Sequence, residues 1–368
     1  MIRVLAIAGF GTVATILLAL AGNWLSQTLK LKNGQVVGGV VVCGVLLTVV
    51  GAVALQPKDD LAKQPEPGGA APAVNLAELA PELLEQRLLT IDDSADRPAL
   101  FASRPDGTAR TLIWDMPDSW PAAVVPETDD FILSAPWEER STDRLEIFSS
   151  QGEFQRALTS PPALRSDISP AYAAARKRVY FIRQSWRDTG NGSRVSTRSQ
   201  LMEASLDGSG APRPIPTPGF QMRTVSVSAD GRAVAGSCVD EKDDSAQVCL
   251  MSLDGSDVKR LPGNERAGPS EVSISADGRY VAYSSPATNP YGETQVYVYD
   301  SRTETTTMVS RLAGLNGNPA WAPTIRKPCL AFSHFERPQG ASIYVTCLSP
   351  EPVTVEAAPV GSNPVWLP

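Results

Sequence analysis

Apolar and polar residues alternate in short runs along most of the chain, and the clearest run occurs twice. Val225–Arg232 reads VSVSADGR and Val272–Arg279 reads VSISADGR, 47 positions apart. In each copy apolar residues alternate with serine, Asp-Gly supplies a tight turn, and a second apolar run follows at Ala233–Gly236 or Tyr280–Ser284. Period-two alternation broken by Asp-Gly predicts an antiparallel hairpin. Recurrence at a fixed spacing predicts a repeat architecture made of such hairpins.

The two copies define a template of four strands: a short first strand, the Asp-Gly turn, a second strand, a polar hairpin, a third strand and a closing fourth. Residues 223–263 and 269–312 fit it throughout, and residues 316–360, 166–216 and 129–159 fit it more loosely. Four strands in about 45 residues is the size of a propeller blade. Ala99–Ser103, Arg110–Asp115 and Ala122–Val125 provide three strands of a further unit, with Arg104-Pro105-Asp106-Gly107 as its turn and no first strand. The chain ends in GSNPVWLP at Gly361–Pro368, close to GNPAWAP at residues 317–323. The C-terminus is therefore expected to supply the missing first strand and close the ring, which removes the exposed sheet edges of an open array. The expected fold class is all-β, a six-bladed β-propeller over residues 97–368.

Residues 1–55 break the pattern. They contain no Asp or Glu, and Arg3, Lys30 and Lys32 are their only charged side chains. Two mostly apolar stretches, about residues 4–25 and 36–55, are each long enough to cross a hydrocarbon core. Gly34, Gly38 and Gly44 would let two helices approach closely. Residues 1–56 are expected to form a two-helix transmembrane hairpin embedded in the lipid bilayer. The alternative is a cleaved signal peptide over residues 1–21, with Arg3 as its charged start and Ala19-Leu20-Ala21 as its cleavage site.

Residues 57–96 read as a linker. Gln56–Val74 is rich in Pro, Gly and Ala, as in an extended tether. Leu76, Leu79, Leu83, Leu84 and Leu88 then recur near helical spacing, with Asn75 as a cap and Glu78 three residues on. Pro81 interrupts that helix or begins it.

Cysteine bears on compartment. Cys238 and Cys249 flank VDEKDDSAQV, and Cys329 and Cys347 flank a second hairpin-like stretch, so each pair lies near facing positions of adjacent strands. Cross-strand neighbours come within disulfide range. Two such pairs predict two disulfides, which persist outside the cytoplasm. The propeller is placed on the extracytoplasmic side of the cell membrane, as part of a multi-pass protein with two spans. Cys43, inside the second apolar stretch, reads as a packing residue.

SADGR at 228–232 and 275–279, Pro319-Ala320-Trp321-Ala322-Pro323 and Tyr297-Val298-Tyr299-Asp300 together resemble the TolB-like β-propeller repeats of the PD40 (WD40-like) type, with Ala replacing Pro in SADGR. The resemblance covers roughly residues 97–368. It implies the blade and no particular ligand, since that family includes protein-binding modules as well as propellers attached to peptidase domains.

Little chemistry competes with that reading. His334 is the sole histidine and lies in SHFERPQG, read as an exposed loop; no Gly-x-Ser-x-Gly elbow is present. The metal candidates are Asp240, Asp243 and Asp244, but Lys242 interrupts them and the alternating ligand positions of a calcium loop are missing. They read as solvated charge at a hairpin tip. Gly9-x-Gly11 lies in an apolar span, and Asn191-Gly192-Ser193 matches a glycosylation sequon in a surface loop.

Beyond residue 55 acidic residues outnumber basic ones by ten. The one basic run, Arg176-Lys177-Arg178, sits at a loop edge, so nucleic acid is not an expected partner. No catalytic residues and no cofactor are assigned. The expected function is a non-catalytic interaction or scaffold module that binds protein partners of the membrane or cell envelope, as an accessory subunit of a membrane complex, with Gln184–Gln200 and Ala287–Glu293 as exposed segments. The alternative is a sensor or enzyme that holds a small ligand or metal in the central channel, for which a ring of inward carboxylates would speak.

Overall fold

In the computed structural model, the described residues are 75–367 apart from 93–97, 116–119, 138–141, 191–192, 262–269, 288–293, 324–326, 337–339 and 349–350. The two apolar stretches of residues 4–55, the tether, Cys43 and the sequon asparagine lie outside them. No helix among the described residues is long and apolar enough to cross a membrane.

The domain is an all-β propeller of antiparallel meanders. One sheet runs Ser362–Leu367, Arg87–Asp92, Ala99–Ser103, Thr111–Asp115. A second runs Trp120–Val125, Asp130–Trp137, Thr142–Phe148, Phe154–Ala157, and a third Arg165–Ala173, Arg178–Asp188, Arg194–Ser205, Arg213–Pro214. The fourth has a first strand broken into Phe220–Met222 and Ser226–Val227, followed by Ala233–Asp240, Ala246–Ser252 and Lys259–Leu261. Ser270–Ile274, Tyr280–Pro286, Thr294–Asp300 and Thr305–Met308 form one further meander, and Leu315–Trp321, Cys329–Glu336, Gly340–Cys347 and Val353–Ala358 another. These last two share one eight-stranded sheet through a single parallel pair, Thr294 with Leu315. Among the described residues the hydrogen-bonded sheets therefore number five, against the six blades expected.

The doubled SADGR folds the same way each time. Ser228 Oγ donates to Asp230 Oδ1 at 2.7 Å, and Ser275 Oγ donates to Asp277 Oδ1 at 2.6 Å. Each serine also accepts the amide that opens the second strand, from Ala233 at 3.0 Å and Tyr280 at 2.9 Å. Gly231 and Gly278 take φ of 64° and 73°, which glycine adopts without penalty. The turns are also stitched together, as Ala175 N donates to Ala229 O and Ala229 N to Ala276 O.

Alternation along the second strands places side chains between neighbouring meanders. Tyr180 and Ile182 pack toward Phe220, Val234 and Met251, whereas Val179 and Phe181 pack toward Ile132, Leu145 and Ile147. Similar cores join each meander to the next in sequence. The final core joins the last meander to the first through Ile343, Val345, Leu88 and Trp366. The C-terminal strand pairs antiparallel with Arg87–Asp92 and so belongs to the same sheet as the first meander.

Three local readings change. The helix is one turn, Leu76–Leu79, capped by Asn75 Oδ1 accepting from Glu78 N at 2.9 Å. A 3₁₀ turn at Pro81–Glu85 follows, with Pro81 at its start. Arg87–Asp92 is then a strand of the propeller and not linker, because its residues after Arg87 are all buried. Ala122–Val125 belongs to the first strand of the following meander. The short helix covers the ring-closing core with Leu76, Leu79 and Leu83, and Lys327 Nζ donates to Leu79 O at 3.3 Å.

Both disulfides form. Cys329 and Cys347 are direct cross-strand partners, with Cα atoms 4.0 Å apart. Cys238 and Cys249 sit diagonally, Cys249 pairing with Gly236, and their Cα atoms are 5.9 Å apart.

Candidate functional site: the central channel

The first strands of the meanders line a cavity of about 1040 Å³. Each of these strands is irregular at one level. Register shifts occur between Pro121 and Ala123, Ile168 and Ala171, Ser270 and Val272, and Gly317 and Ala320, while Phe220–Met222 and Ser226–Val227 are interrupted at the same level. Against the C-terminal strand the shift falls between Leu89 and Ile91. A bulge adds one residue and re-aims its side chain. Ser169, Glu271, Asn318 and Asn363 occupy these points with φ of 53°, 47°, 52° and 50°, the left-handed region that non-glycine residues seldom enter.

Hydrogen bonds lace the first strands together around the channel. Val225 N donates to Ser169 Oγ at 3.3 Å and Ile274 N to Ser226 Oγ at 3.0 Å. Trp321 Nε1 donates to Ser273 O at 3.1 Å, and Trp366 Nε1 to Ala320 O at 3.0 Å. Here GNPAW and SNPVW differ from SADGR in purpose, since their tryptophans bolt one meander to the preceding one.

Glu271 is the one charged side chain among the described residues of the lining. Its Oε2 accepts from Ser284 Oγ at 2.7 Å and from Asn318 N at 2.9 Å. With the Asn318 amide nitrogen turned toward it, that nitrogen lies 2.9 and 2.7 Å from the two carboxylate oxygens. A Cβ at Gly317 would meet Oε2 at 2.7 Å, so glycine keeps room for the carboxylate. Tyr172, also in the lining, has its phenol pushed up to about 12 by burial and then by the Glu127 carboxylate.

His334 is not in a loop. It lies in the strand Cys329–Glu336 and is 6% exposed. Its Nδ1 donates to Asn316 Oδ1 at 2.9 Å, and Asn316 Nδ2 in turn donates to Thr294 O and Leu312 O, each at 3.1 Å. Burial holds its pKa below the usual imidazole value, against the pull of Glu336 and Glu356. Asp240, Asp243 and Asp244 do not converge. Asp240 is buried in an ion pair with Arg260, and Asp243 Oδ1 caps Ser245 N at 3.0 Å. Among the described residues no three His, Cys, Asp or Glu side chains come together as a metal set. Of the exposed segments, Arg178–Asp188 and Arg194–Ser205 form one long hairpin, whereas residues 288–293 lie outside the described chain.

Sequence reasoning missed Glu271 because strand alternation alone does not reveal where a bulge falls. The only signal is alignment of its repeat with NPAW and NPVW, which sets Glu271 level with Asn318 and Asn363.

No family model and no curated protein matches the chain. Solved structures do. TolB from Acinetobacter baumannii is similar over 78% of this chain and 67% of its own, with a TM-score of 0.58 and 15% identity. A structure from a nidogen/laminin complex is similar over 77% of this chain and 98% of its own, with a TM-score of 0.52 and 10% identity. The chain has a TolB-like β-propeller fold. At these identities the TolB-like likeness concerns fold alone.

Proposed function

We propose that this chain is a membrane-anchored, extracytoplasmic propeller of six blades that acts as a non-catalytic protein-interaction module, with the channel face as its docking surface. The observation that carries the reading is the channel itself, a large cavity framed by prolines, small residues and the polar Ser169, Asn318 and Asn363 of the first strands. Such a lining offers hydrogen bonds and shape without a set of paired catalytic groups. The eight-stranded sheet counts as two blades, since one residue pair joins its halves. The two disulfides support the extracytoplasmic side, and residues 4–55 would supply the anchor. The nidogen/laminin neighbour comes from a complex of two proteins, which is consistent with a binding role.

A photo-crosslinking amino acid at Tyr172 or Asn363 of the full chain, in its native membrane, tests this directly. A discrete protein adduct is expected from both positions and not from Leu112, an exposed outer-strand residue. Equal adducts from Leu112, or none from the channel positions, would overturn the reading. Thiol labelling of intact cells with and without reductant checks the compartment.

A further inference from the structure

We infer that Glu271 is an anchor for an organic cation, an arginine or lysine side chain carried by the polypeptide that enters the channel. The inference rests on the interaction-module reading and adds its chemistry. Within the channel one carboxylate faces no described cation, and Glu271 takes part in no ion pair among the described residues. Ser284 Oγ and the Asn318 backbone and amide nitrogens fix the carboxylate from one side. They are neutral donors, so they orient the charge without cancelling it. The residue remains exposed, and its φ of 47° is a conformation that persists only where surrounding contacts impose it.

Three classes of ligand can be compared. A divalent metal wants several oxygen ligands at short range, and no such set converges here. An anion would be repelled. A guanidinium or ammonium brings fixed donors to the Glu271 carboxylate and gains a charge-assisted hydrogen bond. A cavity of about 1040 Å³ far exceeds one amine, so the cation is expected to arrive on a longer chain.

The test uses the full chain in detergent and two fluorescent octapeptides of one Gly/Ser/Ala frame, one with a central arginine and one with citrulline, its neutral isostere. Anisotropy titration should show the arginine peptide binding at least ~10-fold more tightly, the difference a single lost charge-assisted contact makes. Glu271→Gln should remove that preference and leave the citrulline peptide unchanged, whereas Asp243→Asn at the hairpin tip should change neither. The arginine–citrulline comparison on the unaltered protein stands even if Glu271→Gln fails to fold. Equal binding of both peptides would overturn the cation anchor while leaving a polypeptide-binding channel in place. Glu271-dependent binding of spermidine with no peptide binding would overturn the polypeptide source. If neither peptide nor spermidine binds, the anchor is refuted, and the crosslinking experiment then judges the interaction module on its own.

Discussion

Trp366 gives the ring-closure argument a quantitative test. Its indole is 7% exposed and packs with Leu88, Val355 and the Cys329–Cys347 pair, where the C-terminal strand meets Arg87–Asp92. Its Nε1 also donates to Ala320 O at 3.0 Å across to the neighbouring meander. A buried tryptophan removes roughly 150–250 Å² from water, worth about 4–6 kcal/mol at 25 cal/mol per Å². Large-to-small replacements of this kind cost about 3–5 kcal/mol, so Trp366→Ala should destabilise by about 4 kcal/mol. Trp366→Phe keeps most of the packing and strands one carbonyl, at about 1–2 kcal/mol. Trp321→Phe, with the equivalent bond to Ser273 O, should match it within about 0.5 kcal/mol. Urea unfolding of the full chain followed by circular dichroism gives the midpoints, and hydrogen exchange of Arg87–Asp92 reports whether the closing sheet opens first. If Trp366→Ala shifts stability by less than about 1 kcal/mol, or Arg87–Asp92 stays fully protected, the ends do not hold the ring.

Four further outcomes follow from the same geometry. Reducing both disulfides should destabilise by about 3 kcal/mol each, as loop entropy predicts for bridges spanning 11 and 18 residues; melting with and without a phosphine reductant reads it. Asp277→Ala removes the acceptor for Ser275 Oγ and Arg279 N and should cost about 1–2 kcal/mol, with Asp230→Ala in the other copy costing about the same. His334 has a folded pKa below its unfolded value of about 6.5, so the unfolded chain binds the proton more tightly. Stability is therefore full above that pH and declines as pH falls below it; His334→Gln should flatten the slope on the acid side of about pH 6.5 in urea titrations. Leu112→Ser, on an exposed outer strand, should change stability by no more than about 0.5 kcal/mol.

Where a local rule decided the structure alone, the sequence was readable. Asp-Gly and the preceding serine close the same turn in both copies because their hydrogen bonds lie within five residues. The likeness of GSNPVW to GNPAW likewise marks two first strands whose tryptophans each bond to a neighbouring meander. Arg87–Asp92 was hidden for the opposite reason. Leu88 and Leu89 are both buried, on faces that meet different neighbours, so the run loses its alternation and merges with the helical leucine spacing before it. His334 read as a loop residue because Ser333 and His334 are polar. Both are buried, and Asn316 satisfies the imidazole from a strand 18 residues away. The sheet count differed through one parallel pair between adjacent meanders, which no residue pattern announces.

The bulges decide what the channel can be used for. A regular first strand would direct alternate side chains into the cores on its two sides and leave only backbone at the axis. One inserted residue in the left-handed region breaks that alternation, so the level held by Ser169, Glu271, Asn318 and Asn363 is where this propeller can vary its lining without disturbing any core. Three of those four are neutral and already hydrogen-bonded or paired to a neighbouring strand, which a purely structural role would explain. A carboxylate at the fourth is different, because a glutamine of the same length there could accept the same Asn318 and Ser284 donors without bringing an uncompensated charge. The excess of Glu271 over what lacing requires is the reason to look for a cation in the channel.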